Sequence, residues 1–185
     1  MAQRIVDNEQ YESVLIKGDE SGSALAVRSN GNESTAVFNR PLDSTAYSAN
    51  DAILPSGESY VTFSNIDTTG ADVYITNFRF AMSGSTVPAG MGAMRLHLYS
   101  EAPSGLSDNG AYSLSAADIG KYEGYVEVNA PIALGNYIYR QNETANLQVN
   151  LASGESSLYG VLQTVNGYTP TSGVEFRIGL SYFVV

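Results

Sequence analysis

From Val174 onward, apolar side chains fall at 174, 176, 178, 180, 182 and 184, with Glu175, Arg177, Gly179, Ser181 and Phe183 between them. A period of two is the signature of a strand with one face in a core. Chain ends usually fray, so an end this apolar is expected to be held inside a sheet. The pattern predicts a β domain that stays packed through its last residues.

The same alternation recurs upstream. A strand is expected over 59–66, then a turn over 67–71. A longer one follows over 73–82, with Tyr74, Phe78, Phe80 and Met82 on one face and Asn77 and Arg79 on the other. Pro88 to Gly92 interrupts it. The pattern resumes with Met94, Leu96 and Leu98 inward and Arg95, His97 and Tyr99 outward. The stretch 100–121 reads as a loop, in which Ser115 as cap and Gly120 as stop predict one short helix. Further strands are expected near 124–128, 136–140, 147–151, 158–165 and 174–184. Short strands at uneven spacing around one long loop predict an all-β fold, an antiparallel sandwich of jelly-roll-like topology over 46–185. Residues 1–45 carry few bulky side chains and read as an N-terminal arm or a pair of peripheral strands.

Composition narrows the function. The length of 185 residues suits one domain with a sizeable core. Only 15% of residues are charged, so Ser, Thr, Asn, Gly and thirteen Tyr must build much of the surface. The net charge of −10 argues against nucleic acid and anionic membranes as partners. There is no cysteine, which removes disulfides, thiolate metal sites and cysteine nucleophiles. The first residues lack the apolar core of a signal peptide, so synthesis in a cytoplasm without cleaved export is expected.

Motifs for chemistry are sparse. His97 is the only histidine and sits mid-strand, where a structural role is expected over a catalytic one. Asp19-Glu20, Asp67 with Asp72, and Glu101 with Asp108 lie in or beside turns, and no spacing sets two carboxylates across a groove. Asp108-Asn109-Gly110 resembles a fragment of a calcium loop, without the alternating acids or the final Glu, and leaves calcium open. Neither a catalytic residue, a cofactor nor a metal ligand is predicted. Seven of the nine bases are arginine, a residue enriched with Tyr at protein interfaces. The candidate interface residues are Tyr11, Val14, Ile16, Arg28, Phe38, Arg79, Arg95, His97, Tyr99 and Arg177. The competing reading makes the strand residues among them cross-strand pairs on a wet face.

Pro88 to Tyr99, then Ala102-Pro103 and Asp108-Asn109, with 151–154, 157–162 and 168–173, resembles small proteins encoded among the head genes of tailed bacteriophages. The resemblance spans roughly 45–185. It implies a virion structural protein, a capsid decoration (cement) protein on the outside of the head, assembled as a homotrimer and bound to the major capsid protein. It transfers no catalytic residue. The alternative is a tail- or fibre-associated module that binds host glycan, against which the absence of Trp counts.

Overall fold

The computed structural model of the chain describes residues 5–6, 12–17, 23–26, 31–67, 70–142 and 145–184. The chain divides into two compact units, Met1–Gly31 and Asn32–Val185. In the first, strands β1 (Ile5–Val6), β2 (Glu12–Lys17) and β3 (Ser23–Ala26) form an antiparallel sheet in that order.

The second unit is an antiparallel β-sandwich. Its strands are β4 (Asn32–Asn39), β5 (Ala52–Ile53), β6 (Val61–Phe63), β7 (Asp72–Ser83), β8 (Met94–Tyr99), β9 (Tyr122–Val128), β10 (Ile132–Ala133), β11 (Tyr137–Asn142), β12 (Leu147–Asn150), β13 (Leu158–Thr164) and β14 (Glu175–Val184). One sheet runs β10-β11-β7-β14-β4, with β12 pairing the early half of β7. The other runs β5-β13-β8-β9, with β6 on the far half of β13. Treating β5 with β6, and β11 with β12, as single interrupted strands, and setting aside the two-residue β10 that hairpins onto the outer edge of β11, leaves eight strands that cross repeatedly between two four-stranded sheets. That order is a jelly roll, two Greek keys wound together.

Alternation explains the core. Phe176, Ile178 and Leu180 of β14 are fully buried, as the sequence predicts. They meet Phe78, Phe80 and Met82 of β7 and, from the facing sheet, Met94, Leu96 and Leu98. Phe38 stacks on Phe176 with ring centroids 5.3 Å apart. Gly160 sits where an added Cβ would lie 2.9 Å from Leu96 Cδ1 and 3.0 Å from Phe63 Cε2, so side chains of the neighbouring strands β8 and β6 close over bare backbone.

Three expectations need correcting. Tyr74 points outward, because the register slips between Ser181 and Tyr182: Asn77 pairs with Ser181 and Ile75 with Tyr182, leaving Thr76 as the extra residue. This β-bulge turns Val73 and Ile75 inward ahead of Phe78. The short helix is absent. Residues 115–121 form successive turns, in which Asp118 N–H donates to Ser115 O and Lys121 N–H to Asp118 O. Ser115 and Ser104 hydroxyls tie the Asp118 carboxylate into those turns, and it does not cap a helix. Finally, the division falls before Asn32 and not after residue 45, and of the two readings of that segment the peripheral strand is the one that describes β4. Ser34, Ala36 and Phe38 alternate inward, and β4 pairs with β14 along its whole length.

Candidate functional site: one covered sheet face and one open one

The outward face of the smaller sheet is covered by the chain's own long loop. Tyr112, Leu106 and Leu114 from 100–121 pack with Tyr122 and Tyr159 on Ala52, Leu54, Tyr99 and Val161, a second small core. His97 lies within this cover, 6% exposed, its ring stacked on Tyr112 at 3.8 Å. Its partners define its tautomer. Tyr122 hydroxyl donates to Nδ1 at 3.0 Å, Nε2–H donates to Gln163 Oε1 at 3.1 Å, and Gln163 passes the chain to Asn50 O. Burial pushes the imidazole down to about 4, so it stands neutral at pH 7. Tyr99 and Tyr122 are both pushed up to about 12 by burial, and Tyr99 and Tyr112 share a 2.7 Å hydroxyl contact.

A register shift delivers Tyr122 to this place. Leu98 pairs with Gly124 and Tyr99 with Tyr122, skipping Glu123. Gly124 supplies the positive φ of 117° that the bulge requires.

A second cluster anchors the same loop. Arg40 is 1% exposed, its Nε 3.1 Å from Tyr47 Oη and its Nη2 3.0 Å from Asp43 Oδ1 and 3.5 Å from Asp108 Oδ2. Nη1 donates to Asp43 O. Asp108 Oδ1 also accepts from Tyr47 hydroxyl at 2.8 Å and from Leu54 N–H at 2.9 Å. The Asp108 carboxylate is thus committed to a guanidinium, a phenol and an amide. Among the described residues no group of three His, Cys, Asp or Glu side chains is placed to hold a metal.

Among the described residues of the second unit, nothing covers the outward face of the larger sheet. Cross-strand pairing lines up Ile132, Tyr139, Ala81, Arg177 and Val37, and beside them Gln141, Arg79, Gly179 and Thr35. Arg79 lies flat across Gly179, where a Cβ would come within 3.0 Å of its Nε, and pairs with Glu33 at 2.8 Å. Arg177 pairs with Glu175 at 2.7 Å and stands 5.8 Å from the Tyr137 ring centre. Glu33, Thr35, Arg79, Tyr139, Arg177 and Gly179 line a shallow depression of about 330 Å³. Val37, Ile132 and Leu134 are each more than half exposed nearby.

The candidates read from the sequence therefore separate. Arg79 and Arg177 come together on the open face. Arg95 is half-buried, paired with Glu127 at 2.6 Å and set over the Tyr125 ring. Phe38, His97 and Tyr99 are interior, the first in the sandwich core and the other two beneath the loop. Val14 and Ile16 lie on β2, and Tyr11 and Arg28 fall outside the described residues. Sequence reasoning passed over Arg40, the most deeply buried charge among the described residues. Its one signal is a lone Arg closing the inward alternation Ser34, Ala36, Phe38. Compared with known proteins, the chain matches no family model and no curated protein.

Proposed function

We propose that this protein is a non-enzymatic structural protein that works through protein–protein contact. Following its resemblance to phage head proteins, we read it as a capsid decoration protein on the virion surface, with the major capsid protein as partner. The observation that carries the contact reading is the open face of the larger sheet. It combines two arginines held in place by carboxylates with Tyr137, Tyr139 and exposed aliphatic side chains. Such mixtures of Arg, Tyr and apolar area suit stable interfaces. The groups most capable of acid–base chemistry, His97 and Asp108, are instead tied into the packing of loop 100–121.

The test mixes purified protein with phage heads stripped of decoration and measures cosedimentation. Wild-type protein is expected to saturate the shells. The double variant Arg79→Glu, Arg177→Glu should lower affinity by about tenfold or more without changing the fold. Absence of wild-type binding, or equal binding by the variant, defeats the reading. Saturable hits on a glycan array in place of capsid binding would favour the glycan-binding alternative.

A further inference from the structure

The sandwich is sealed along one side and open along the other. On the sealed side Asn142 Nδ2–H donates to Glu127 O at 2.8 Å, and Leu147 reaches within 3.2 Å of where a Gly124 Cβ would stand. On the open side β4 ends its sheet, with no second neighbour among the described strands. A groove of about 470 Å³ runs beside it, lined by Val37, Phe38, Glu58, Tyr60 and Thr62.

Which backbone groups β4 leaves free follows from its pairing. Arg40 N–H donates to Val174 O, so even-numbered residues face β14, while Asn39 O faces away and accepts from Ser56 N–H. Glu33, Thr35 and Val37 therefore direct their N–H and C=O groups outward along the free edge. Edge strands usually carry a guard against further pairing: a Pro, a Lys, a bulge or a covering loop. The segment Asn-Glu-Ser-Thr-Ala-Val-Phe-Asn has no Pro and no base, its one charge is Glu33 near the start, and its pairing with β14 runs without a register shift.

We propose that β4 pairs antiparallel with β4 of a second copy about a two-fold axis through Thr35, joining two larger sheets into one. The free set is self-complementary: Thr35 meets Thr35, and Glu33 meets Val37 of the other copy. Every free N–H then finds a free C=O, and the one already occupied, on Asn39, falls outside the paired set. Charge agrees with this register. No like charges oppose one another, and Glu33 enters the row that holds Val37 and, one strand further, Arg177. Thr35 lines both the groove and the open-face depression, so the axis falls between two concave surfaces. Self-pairing of one edge closes at two copies. This interface therefore yields a dimer, where the phage-protein resemblance implies a trimer, and it stands or falls independently of capsid binding.

Sedimentation of the full chain at high micromolar concentration should give twice the mass of one chain. Thr35→Pro should give one chain's mass with an unchanged circular dichroism spectrum, because the lost N–H faces out of the sheet. Thr35→Lys and Thr35→Glu should each be monomeric alone and form mixed dimers when combined, which covers the case where the proline variant misfolds. In a protein without cysteine, Thr35→Cys should oxidise to a covalent dimer, since paired Cα atoms about 5.5 Å apart suit a disulfide. Val37→Cys should not. A monomeric or trimeric wild type, a dimer unaffected by the Thr35 variants, or equal crosslinking at both positions overturns the proposal.

Discussion

His97 shows how one side chain acquires a role from its cover. Buried under Tyr112, it stays neutral down to about pH 4, whereas in the unfolded chain it binds a proton below its ordinary value of 6.5. Between those values the unfolded state holds more protons than the native one, so stability falls as the pH drops from about 6.5 to about 4 and levels off below. The shift corresponds to about 3 kcal/mol at most. Arg95, whose positive charge adds to the lowering by burial, is paired with Glu127. The stability gap between wild type and His97→Gln, measured by urea unfolding, should therefore narrow by that amount between pH 7 and pH 4. A gap that does not change with pH would show that His97 titrates normally. Arg40 is the opposite case, a buried charge that stays ionised because it is surrounded by acceptors. Arg40→Ala leaves Asp108 without its cation and Tyr47 without a donor, and should cost about 3–5 kcal/mol. Arg40→Lys should recover only part of this, since a single ammonium cannot reach both carboxylates and the phenol with the geometry of a planar fork. Urea midpoints for the two variants test both statements.

At the scale of elements, β4 is the strand whose allegiance matters most. It carries Ala36 and Phe38 into the core, leads directly into Arg40, and borders the groove on the open side. A chain beginning at residue 32 keeps all of this. A chain beginning at residue 41 loses the strand, the stacking of Phe38 on Phe176 and the buried guanidinium together. Removal of residues 2–31 should accordingly leave a cooperative unfolding transition in the second unit. Removal of residues 2–40 should abolish it or shift it by several kcal/mol, given that one Phe truncated in a core costs about 3–5. Similar transitions for the two truncations would contradict the placement of β4 in the sandwich. The loop 100–121 is the other decisive element. It forms no helix, yet through Tyr112, Asp108 and Asp118 it turns the outward phase of β8 into a second interior.

For the whole molecule, the division between sequence and tertiary structure follows from the range of the interactions involved. Period-two alternation is local, so the all-β class, the antiparallel sandwich and the inward set of β14 were legible from spacing alone. The phase of a strand is local only while its register holds. At Thr76 and again at Glu123 a bulge shifts the register, reversing Tyr74 and bringing Tyr122 to His97, and both depend on the partner strand. The outward phase of β7 and β14 kept Arg79 and Arg177 at the surface as their spacing implied. The same phase in β8 put His97 and Tyr99 inside, because whether a sheet's second face meets water is decided by a loop with no periodicity to read. The sequence by itself thus determined the strands and one buried face of each sheet, through side-chain alternation. Only the tertiary structure decided which second face is sealed, which edge is left open and where the buried Arg40 belongs, because each rests on contacts between segments far apart in the chain.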